Sequence, residues 1–380
     1  MKRIFIILLF IPVFAFAESM YSPTWGFYLD LPEGYEYIDG DEKNRFSFSG
    51  PADVMFDLVV YNGVYATIKD LVDDVNTKIE NKGEVDFFDY RDKQAAIFKL
   101  EFGSLSGWGL CVTLAKSELA SNQHGGSNVR PMLVALAYGP AGMDELELLH
   151  ISALDSISPS KDERFYPGPV MEYSFPRGGI TPVTLAGGVN AMIRENDAEA
   201  AQILIEREFQ ILQIYANTPS WQAAWIRYYR FIYRDSYDRV TNAASALARH
   251  FGGSNLPSHE AKREFAQRAL THVQNFQYER DLRGSDFINM VTSVIEGRGS
   301  CDSYSMLWAI ILNHASLRAA MMVSRHYSHA MGLADITGAG ARFDAYGTRW
   351  LVAETTSKVD IGLIAQEQND PRHWIGIIFE

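Results

Sequence analysis

The sequence has 380 residues, of which 47% are hydrophobic and 13% aromatic, so the chain is long enough to fold into two or three globular domains. Its formal net charge of -13 argues against nucleic acids and anionic membrane surfaces as partners, because their phosphate groups would repel the chain.

The first residues have the layout of a secretory signal peptide. Lys2 and Arg3 give a positive start, an apolar run follows over residues 4–16, and the small-x-small site at 15–17 predicts cleavage before Glu18. The alternative, a membrane anchor, is less favoured because the run is short for a bilayer. We therefore expect an exported protein, periplasmic or extracellular after cleavage, with no integral membrane segment.

Residues 18–160 predict an N-terminal sheet domain with helices. Aromatic and β-branched runs bounded by turn residues predict strands, among them "WGFYLDLPEGYEYID", "RFSFSG", "MFDLVVYNG", "AAIFKLEF", "GWGLCVTLAK" and "MLVALAYGP". Helical spacing predicts helices at "TIKDLVDDVNTKIENKG" and "DELELLHISALDSI". This order resembles the small antiparallel-sheet fold of the PsbP and Mog1 families. We expect a binding or scaffolding domain, which could dock onto an envelope protein.

A segment rich in Pro, Gly and charge, residues 161–185, predicts a linker to a second domain at 186–380. Helices are predicted over about 197–215, 220–251 and 259–278. Aromatic residues recur along the second helix at three- and four-residue steps, which is typical of core packing, with a ligand role as the less favoured alternative. The stripe comprises Trp221, Trp225, Tyr228, Tyr229, Ile232 and Tyr233.

The two cysteines lie in different predicted domains. Cys111, in the apolar run "GWGLCVTLA", is expected to be a buried inert thiol, and a disulfide with Cys301 is the less favoured alternative. Cys301 follows a glycine-rich turn and begins a helix, predicted over 303–316, that is apolar on nearly every side. Strand-like runs follow it: "AAMMVS", "HAMGLAD", "ARFDAYG" and "RWLVAETT". A buried helix followed by an antiparallel sheet predicts an α+β core.

This position suits a nucleophilic thiol, which reacts as thiolate. A helix N-terminus favours negative charge, and Gly297 and Gly299 allow close approach of the backbone. A nucleophile also needs a base oriented by a third group. His329 opens one predicted strand and Glu354 ends another, so neighbouring strands could present both to Cys301.

The stretch from about His272 to Gly362 resembles the bacterial and archaeal, papain-like branch of the transglutaminase-like superfamily. Four phrases carry the resemblance in the same order: "VQNFQYERD" before the nucleophile, "GRGSCDSYSMLWAIIL" around it, "SHAMGLA" at the histidine and "RWLVAETT" at the acid. The residue before the nucleophile departs from the pattern, since it is Ser300 where relatives often have Asp.

The resemblance implies a role for each matched residue. Cys301 would be the nucleophile, His329 the general base and then acid, and Glu354 the group that orients the imidazole, where many relatives have Asp. Gln274 would donate a side-chain N–H to the oxyanion alongside the backbone N–H of Cys301, and loss of such a donor typically costs about 10²–10³ in rate.

Two other residues could take the roles of His329 and Glu354. His326 lies three positions from His329, although strand alternation would put it on the opposite face. Asp344 could orient the histidine in place of Glu354, which is preferred for its match to the family phrase. The chain lacks C-x-x-C and H-E-x-x-H and has no Asp-rich loop, so we expect no metal and no cofactor.

The sequence thus predicts an exported cysteine enzyme that cleaves or transfers amide bonds of a peptide or protein substrate through an acyl-enzyme. Hydrolysis, as a peptidase or amidase, is favoured over crosslinking because many bacterial members of the superfamily look hydrolytic. The alternative is a catalytically silent domain that binds a protein or peptide in the cell envelope.

Overall fold

The structure is a computed structural model that describes residues 19–115, 130–280 and 284–379. The predicted signal peptide, residues 1–17, and Asp281 of the "VQNFQYERD" phrase lie outside the described residues. Mixed helices and antiparallel sheets make up the described chain, so the predicted α+β class is confirmed.

The N-terminal part is built on a seven-stranded sheet. A short antiparallel pair, β1 (Met20–Tyr21) and β2 (Tyr28–Leu29), precedes it. The seven strands are β3 (Glu36–Gly40), β4 (Arg45–Ser49), β5 (Met55–Tyr61), β6 (Val85–Tyr90), β7 (Lys93–Phe102), β8 (Leu105–Thr113) and β9 (Met132–Pro140). Their spatial order is β3-β4-β5-β9-β8-β7-β6, and every neighbouring pair is antiparallel.

Both faces of this sheet are covered. Helix α1 (Ile68–Lys78), which starts with a capping box between Thr67 and Asp70, packs on the face that contains Cys111. Helix α2 (Glu147–Asp155) packs on the other face. Both cysteines are free thiols, and burial raises the pKa of Cys111.

The segment predicted as a linker is folded onto its neighbours. It contains the short helix α3 (Pro169–Ser174), with Val170 and Met171 buried, and the first strand of a hairpin, β10 (Ile180–Thr184) with β11 (Asn190–Arg194). Short 3₁₀ turns occupy Pro51–Asp53, Asp144–Leu146, Lys161–Glu163, Gln366–Gln368 and Pro371–His373.

Helices follow in the second part: α4 (Asp197–Tyr215), α5 (Trp221–Arg239), α6 (Thr241–His250), α7 (His259–Val273) and α8 (Met290–Glu296). The predicted helix over 220–251 is two helices, because the backbone leaves the helical region at Val240. The predicted helix over 259–278 ends at Val273, because the following residues pair with a distant segment. There β12 (Gln277–Tyr278) runs parallel to β13 (Arg298–Gly299).

A buried ion network joins the two parts. The guanidinium of Arg207 lies 2.7 Å from Asp155 on α2, and that of Arg227 lies 2.8 Å from Glu208. Arg227 also donates to the hydroxyl of Ser152. Removing one member of such a network would leave a buried charge unpaired, which is strongly destabilising.

The last core consists of helix α9 (Cys301–His314) packed on a five-stranded antiparallel sheet. Its strands are β14 (Ala319–Ser324), β15 (His329–Ala334), β16 (Arg342–Ala345), β17 (Thr348–Ala353) and β18 (Ile375–Ile377), in the spatial order β16-β17-β15-β14-β18. Residues 306–312 of the helix are fully buried. Gly332 on β15 admits the indole of Trp308, since a Cβ at that position would lie 2.4 Å from it.

Candidate functional site

Cys301 is the first residue of α9, and a turn that contains two glycines precedes it. Gly297 ends α8 in the left-handed conformation, at φ +65°. Gly299 lies so close to the helix that a Cβ there would meet the side chain of Ser303 at 2.7 Å. Ser300 then caps the helix, its hydroxyl accepting from the Ser303 N–H. The first N–H groups of a helix have no intrahelical acceptor, so those of Cys301 and Asp302 remain available to other acceptors.

His329 and Glu354 come from neighbouring strands of the sheet that supports α9. His329 begins β15 and Glu354 directly follows β17, which pairs with β15. Nε2 of His329 lies 2.8 Å from Oε2 of Glu354. The other carboxylate oxygen accepts from the backbone N–H of Thr356 at 2.7 Å and from its hydroxyl at 2.6 Å.

Glu354 is a carboxylate in this arrangement. Burial acts to raise its pKa, but the hydrogen bonds from His329 and Thr356 outweigh burial and hold the pKa of Glu354 below its ordinary value. A fixed carboxylate at Nε2 leaves Nδ1 of His329 as the nitrogen that can accept a proton. The ring of Trp374 lies 6.3 Å from the imidazole and packs against it.

The environment of Cys301 favours the neutral thiol. Its residue is 2% exposed, and burial raises the pKa of the thiol. The carboxylate of Asp302, with Oδ2 4.0 Å from Sγ, raises it further. Hydrogen bonds from the backbone N–H of Ala330 and the hydroxyl of Tyr278 offset only part of this effect. The helix N-terminus alone therefore does not make a thiolate here, and an adjacent base is needed.

Tyr278 reaches the sulfur through the β12–β13 pairing. The N–H of Gln277 bonds to the carbonyl of Gly297 at 2.7 Å, and the N–H of Glu279 bonds to that of Gly299 at 2.8 Å. This pairing sets Tyr278 beside the turn that leads into Cys301. Its ring packs edge-on against Tyr304, with 6.2 Å between centroids. Tyr278 is the tyrosine of the "VQNFQYERD" phrase, which was the sequence signal for it.

The side-chain amide of Gln274, predicted to donate to the oxyanion, is bound to two backbone carbonyls. It caps the end of α7, and its Nε2 donates to the backbone carbonyls of Glu354 at 2.8 Å and Val359 at 3.0 Å. With both amide hydrogens engaged, Gln274 has no hydrogen to give an oxyanion in this arrangement. Its side chain instead ties the segment after β17 to α7, which holds Glu354 in place.

The two rival residues lie away from the thiol. The ring of His326 is exposed and stacks on His373, with 4.1 Å between centroids. Asp344 is exposed on the edge strand β16, 4.0 Å from Arg349. Neither lines the cavity that contains Cys301 and His329.

That cavity has a volume of about 340 Å³, within the usual range for a ligand site. The aromatic stripe of α5, interpreted from the sequence as core packing, also supplies one of its walls. Arg280 and Asp286, which also line the cavity, are paired at 2.6 Å. The aromatic side chains that line the cavity are Phe209, Trp221, Trp225, Tyr228, Tyr229 and Phe287.

In comparisons with known proteins, no family model matches this chain, and no curated protein matches it significantly. Across 19–115, 130–280 and 284–379, no helix has the length and apolar character needed to cross a bilayer. Within the same described residues, no three His, Cys, Asp or Glu side chains converge where a metal ion could bind.

Proposed function

We propose that the chain is an exported cysteine enzyme of the transglutaminase-like type, acting on amide bonds of peptides or proteins through Cys301, His329 and Glu354. The observation that carries the proposal is that His329, which lies 2.8 Å from Glu354, lines the same cavity as a thiol that starts a buried helix. A nucleophile, a base and a group that orients the base are the parts that thiol acyl chemistry needs. A cysteine helix against an antiparallel sheet also supports the papain-like resemblance.

The first half of the reaction forms the acyl-enzyme. Nδ1 of His329 takes the thiol proton as Sγ of Cys301 attacks the carbonyl carbon, and Glu354 stabilises the imidazolium that results. The tetrahedral intermediate collapses with cleavage of the C–N bond, and the imidazolium gives its proton to the departing amine. A thioester to Cys301 remains.

The second half consumes the thioester. His329 takes a proton from water, the oxygen attacks the thioester carbon, and the thiol leaves with a proton from the imidazolium. Attack by an amine in place of water would give crosslinking. We favour hydrolysis, as a peptidase or amidase, following the resemblance to bacterial members of the superfamily.

The oxyanion of each tetrahedral intermediate needs donors that are already in place. The backbone N–H of Cys301, at the start of α9, is one. We assign the second to the hydroxyl of Tyr278, because it lies close enough to the sulfur to lower the pKa of the Cys301 thiol. Gln274 is replaced in this role since its amide hydrogens bind two carbonyls.

The test is covalent capture of the nucleophile with a peptidyl acyloxymethyl ketone, located by peptide mapping in the mass spectrometer. We expect one adduct, at Cys301, in the folded protein and none in Cys301→Ala. The matched control is Cys111→Ala, which should still be captured, because Cys111 lies in the core of the N-terminal sheet. Absence of an adduct at Cys301 in the folded protein, with reaction at both cysteines after denaturation, would reject the nucleophile.

One observation favours the alternative, a catalytically silent domain that binds a protein or peptide in the cell envelope. Burial and Asp302 raise the pKa of Cys301, as expected of a thiol that is not used. The rate of capture against pH separates the two proposals. A thiol helped by His329 reacts well at neutral pH, whereas an unused thiol reacts only in alkali. Docking of the N-terminal PsbP/Mog1-like sheet onto an envelope protein is a further role compatible with either.

A further inference from the structure

The carboxylate of Asp302 lines the cavity beside Cys301. Oδ1 of Asp302 accepts a hydrogen bond from the hydroxyl of Tyr229 at 2.8 Å, and Oδ2 lies 4.0 Å from Sγ. The ring of Tyr229 is in turn fixed edge-on against Trp225, with 6.4 Å between centroids. A negative charge therefore lies among aromatic rings, next to the atom that would be acylated.

Among the described residues, the Asp302 carboxylate has no direct ion-pair partner, although Arg280 and Arg325 also line the cavity. Asp286, the other carboxylate that lines the cavity, is paired with Arg280 at 2.6 Å. No described Lys, Arg or His nitrogen lies within 4.0 Å of the Asp302 carboxylate. Burial and the charge of Asp286 raise the pKa of Asp302 to about 6, against the opposing effects of Tyr229, His329 and Arg280. At neutral pH the group is thus a partly buried anion that is stabilised mainly by one hydroxyl.

We propose that this cavity is the subsite for a positively charged group of the substrate, an ammonium or guanidinium close to the carbonyl that Cys301 attacks, with Asp302 as its counter-ion. The inference rests on the proposed function. Aromatic side chains also line the cavity, and an aromatic ring attracts a cation to its face. A neutral group there would desolvate Asp302 without compensation, and an anionic group would be repelled by it.

Binding of a cation would also affect the nucleophile. The negative charge of Asp302 is one of the causes that raise the pKa of Cys301. A substrate cation paired with Asp302 cancels that charge, so the thiol gives up its proton to His329 more readily when the matching substrate is bound. The cation is therefore expected to increase the rate of acylation as well as the affinity.

The experiment compares acylation of Cys301 by 4-nitrophenyl esters of Nα-protected lysine, norleucine and glutamate, since norleucine keeps the aliphatic chain of lysine without its ammonium. We expect the lysine ester to react at least about tenfold faster than the norleucine ester, as one charge-assisted contact allows, and the glutamate ester to be slowest. In Asp302→Asn the lysine-to-norleucine ratio should fall to about 1. The matched control Asp344→Asn, on the exposed edge strand, should keep the wild-type ratio.

A competition experiment uses only the wild-type protein, so its result does not depend on whether a variant folds. Butylammonium should slow acylation by the lysine ester, because it displaces the substrate ammonium from Asp302, and butanol at the same concentration should not. Equal acylation of Cys301 by the three esters, or no difference between the two competitors, would overturn the cationic subsite and leave the proposed function intact. A preference for lysine that persists in Asp302→Asn would overturn the assignment to Asp302. Failure of every ester to acylate Cys301 would overturn both proposals.

Discussion

Nε2 of His329 lies 2.8 Å from Oε2 of Glu354, and Thr356 holds the opposite oxygen of that carboxylate through two hydrogen bonds. The position of the carboxylate is therefore fixed by Thr356 independently of the imidazole. Because Nε2 is engaged, Nδ1 is the nitrogen of the imidazole that is left for proton transfer. Each of these effects depends on the charge and position of Glu354.

Glu354→Gln keeps the size of the side chain and removes its charge. We expect kcat/KM for a peptide amide to fall by about 10²–10⁴, because the imidazolium loses its stabilising charge and the tautomer is no longer fixed. Steady-state kinetics with a fluorogenic peptide measures the change, and a thermal melt checks the fold. Asp344→Asn is the control, since Asp344 is the rival acid and should leave kcat/KM at the wild-type level. The reverse pattern would assign the orienting role to Asp344.

Tyr278→Phe tests the second oxyanion donor. We expect kcat to fall by about 10²–10³ with little change in KM, because the phenol acts on the charge that develops in the transition state. The control is Tyr346→Phe, the same change at an exposed residue. Alkylation of Cys301 by iodoacetamide involves no oxyanion, so it should fall much less than kcat. Equal losses in both reactions would mean that Tyr278 acts on thiol ionisation alone.

Gln274→Ala tests whether that side chain is structural. The substitution leaves two carbonyls, those of Glu354 and Val359, without their donor, so we expect the free energy of unfolding to fall by about 2–4 kcal/mol. Urea denaturation measures it. The adjacent Asn275→Ala removes an exposed side-chain bond to a helix carbonyl and should cost less than about 0.5 kcal/mol. Unaltered stability with a large loss of kcat would restore Gln274 as the oxyanion donor predicted from the sequence.

Some features were accessible from the sequence because they are encoded locally. The helix at Asp197–Tyr215 has the predicted bounds, since its apolar residues recur at helical spacing between a turn and a polar loop. Cys301, His329 and Glu354 were each marked by a short phrase in the chain. The structure brings His329 and Glu354 into contact and puts Cys301 in the same cavity.

Other features depend on contacts between distant residues and leave no local pattern. The predicted helix through Tyr278 ends at Val273 because the backbone after it pairs with residues 297–299. A two-residue parallel strand has no periodicity that could signal it. No sequence pattern marks Asp302, because the hydroxyl of Tyr229 that binds its carboxylate comes from the distant helix α5.

The buried carboxyl group of Glu33 should make the free energy of unfolding depend on pH. It is 3% exposed, and burial raises its pKa to about 7 from an ordinary 4.5, against the attraction of Arg227. Between these two values the folded protein holds a proton that the unfolded chain has released, so this group makes stability fall as pH rises from 4.5 to 7. Above pH 7 the cost levels off at about 3 kcal/mol, from 1.36 kcal/mol per pKa unit.

Glu33→Gln keeps the side chain neutral at every pH. We expect it to raise the free energy of unfolding by about 1–3 kcal/mol at pH 8 and to change it little at pH 4, where glutamate is mostly neutral in both states. Urea denaturation at pH 4, 6 and 8 measures this trend. Glu36→Gln, an exposed neighbour, should show no such pH dependence because water solvates its charge in both states. A gain of equal size at pH 4 and pH 8 would show that packing of the amide, rather than removal of a buried charge, explains the effect.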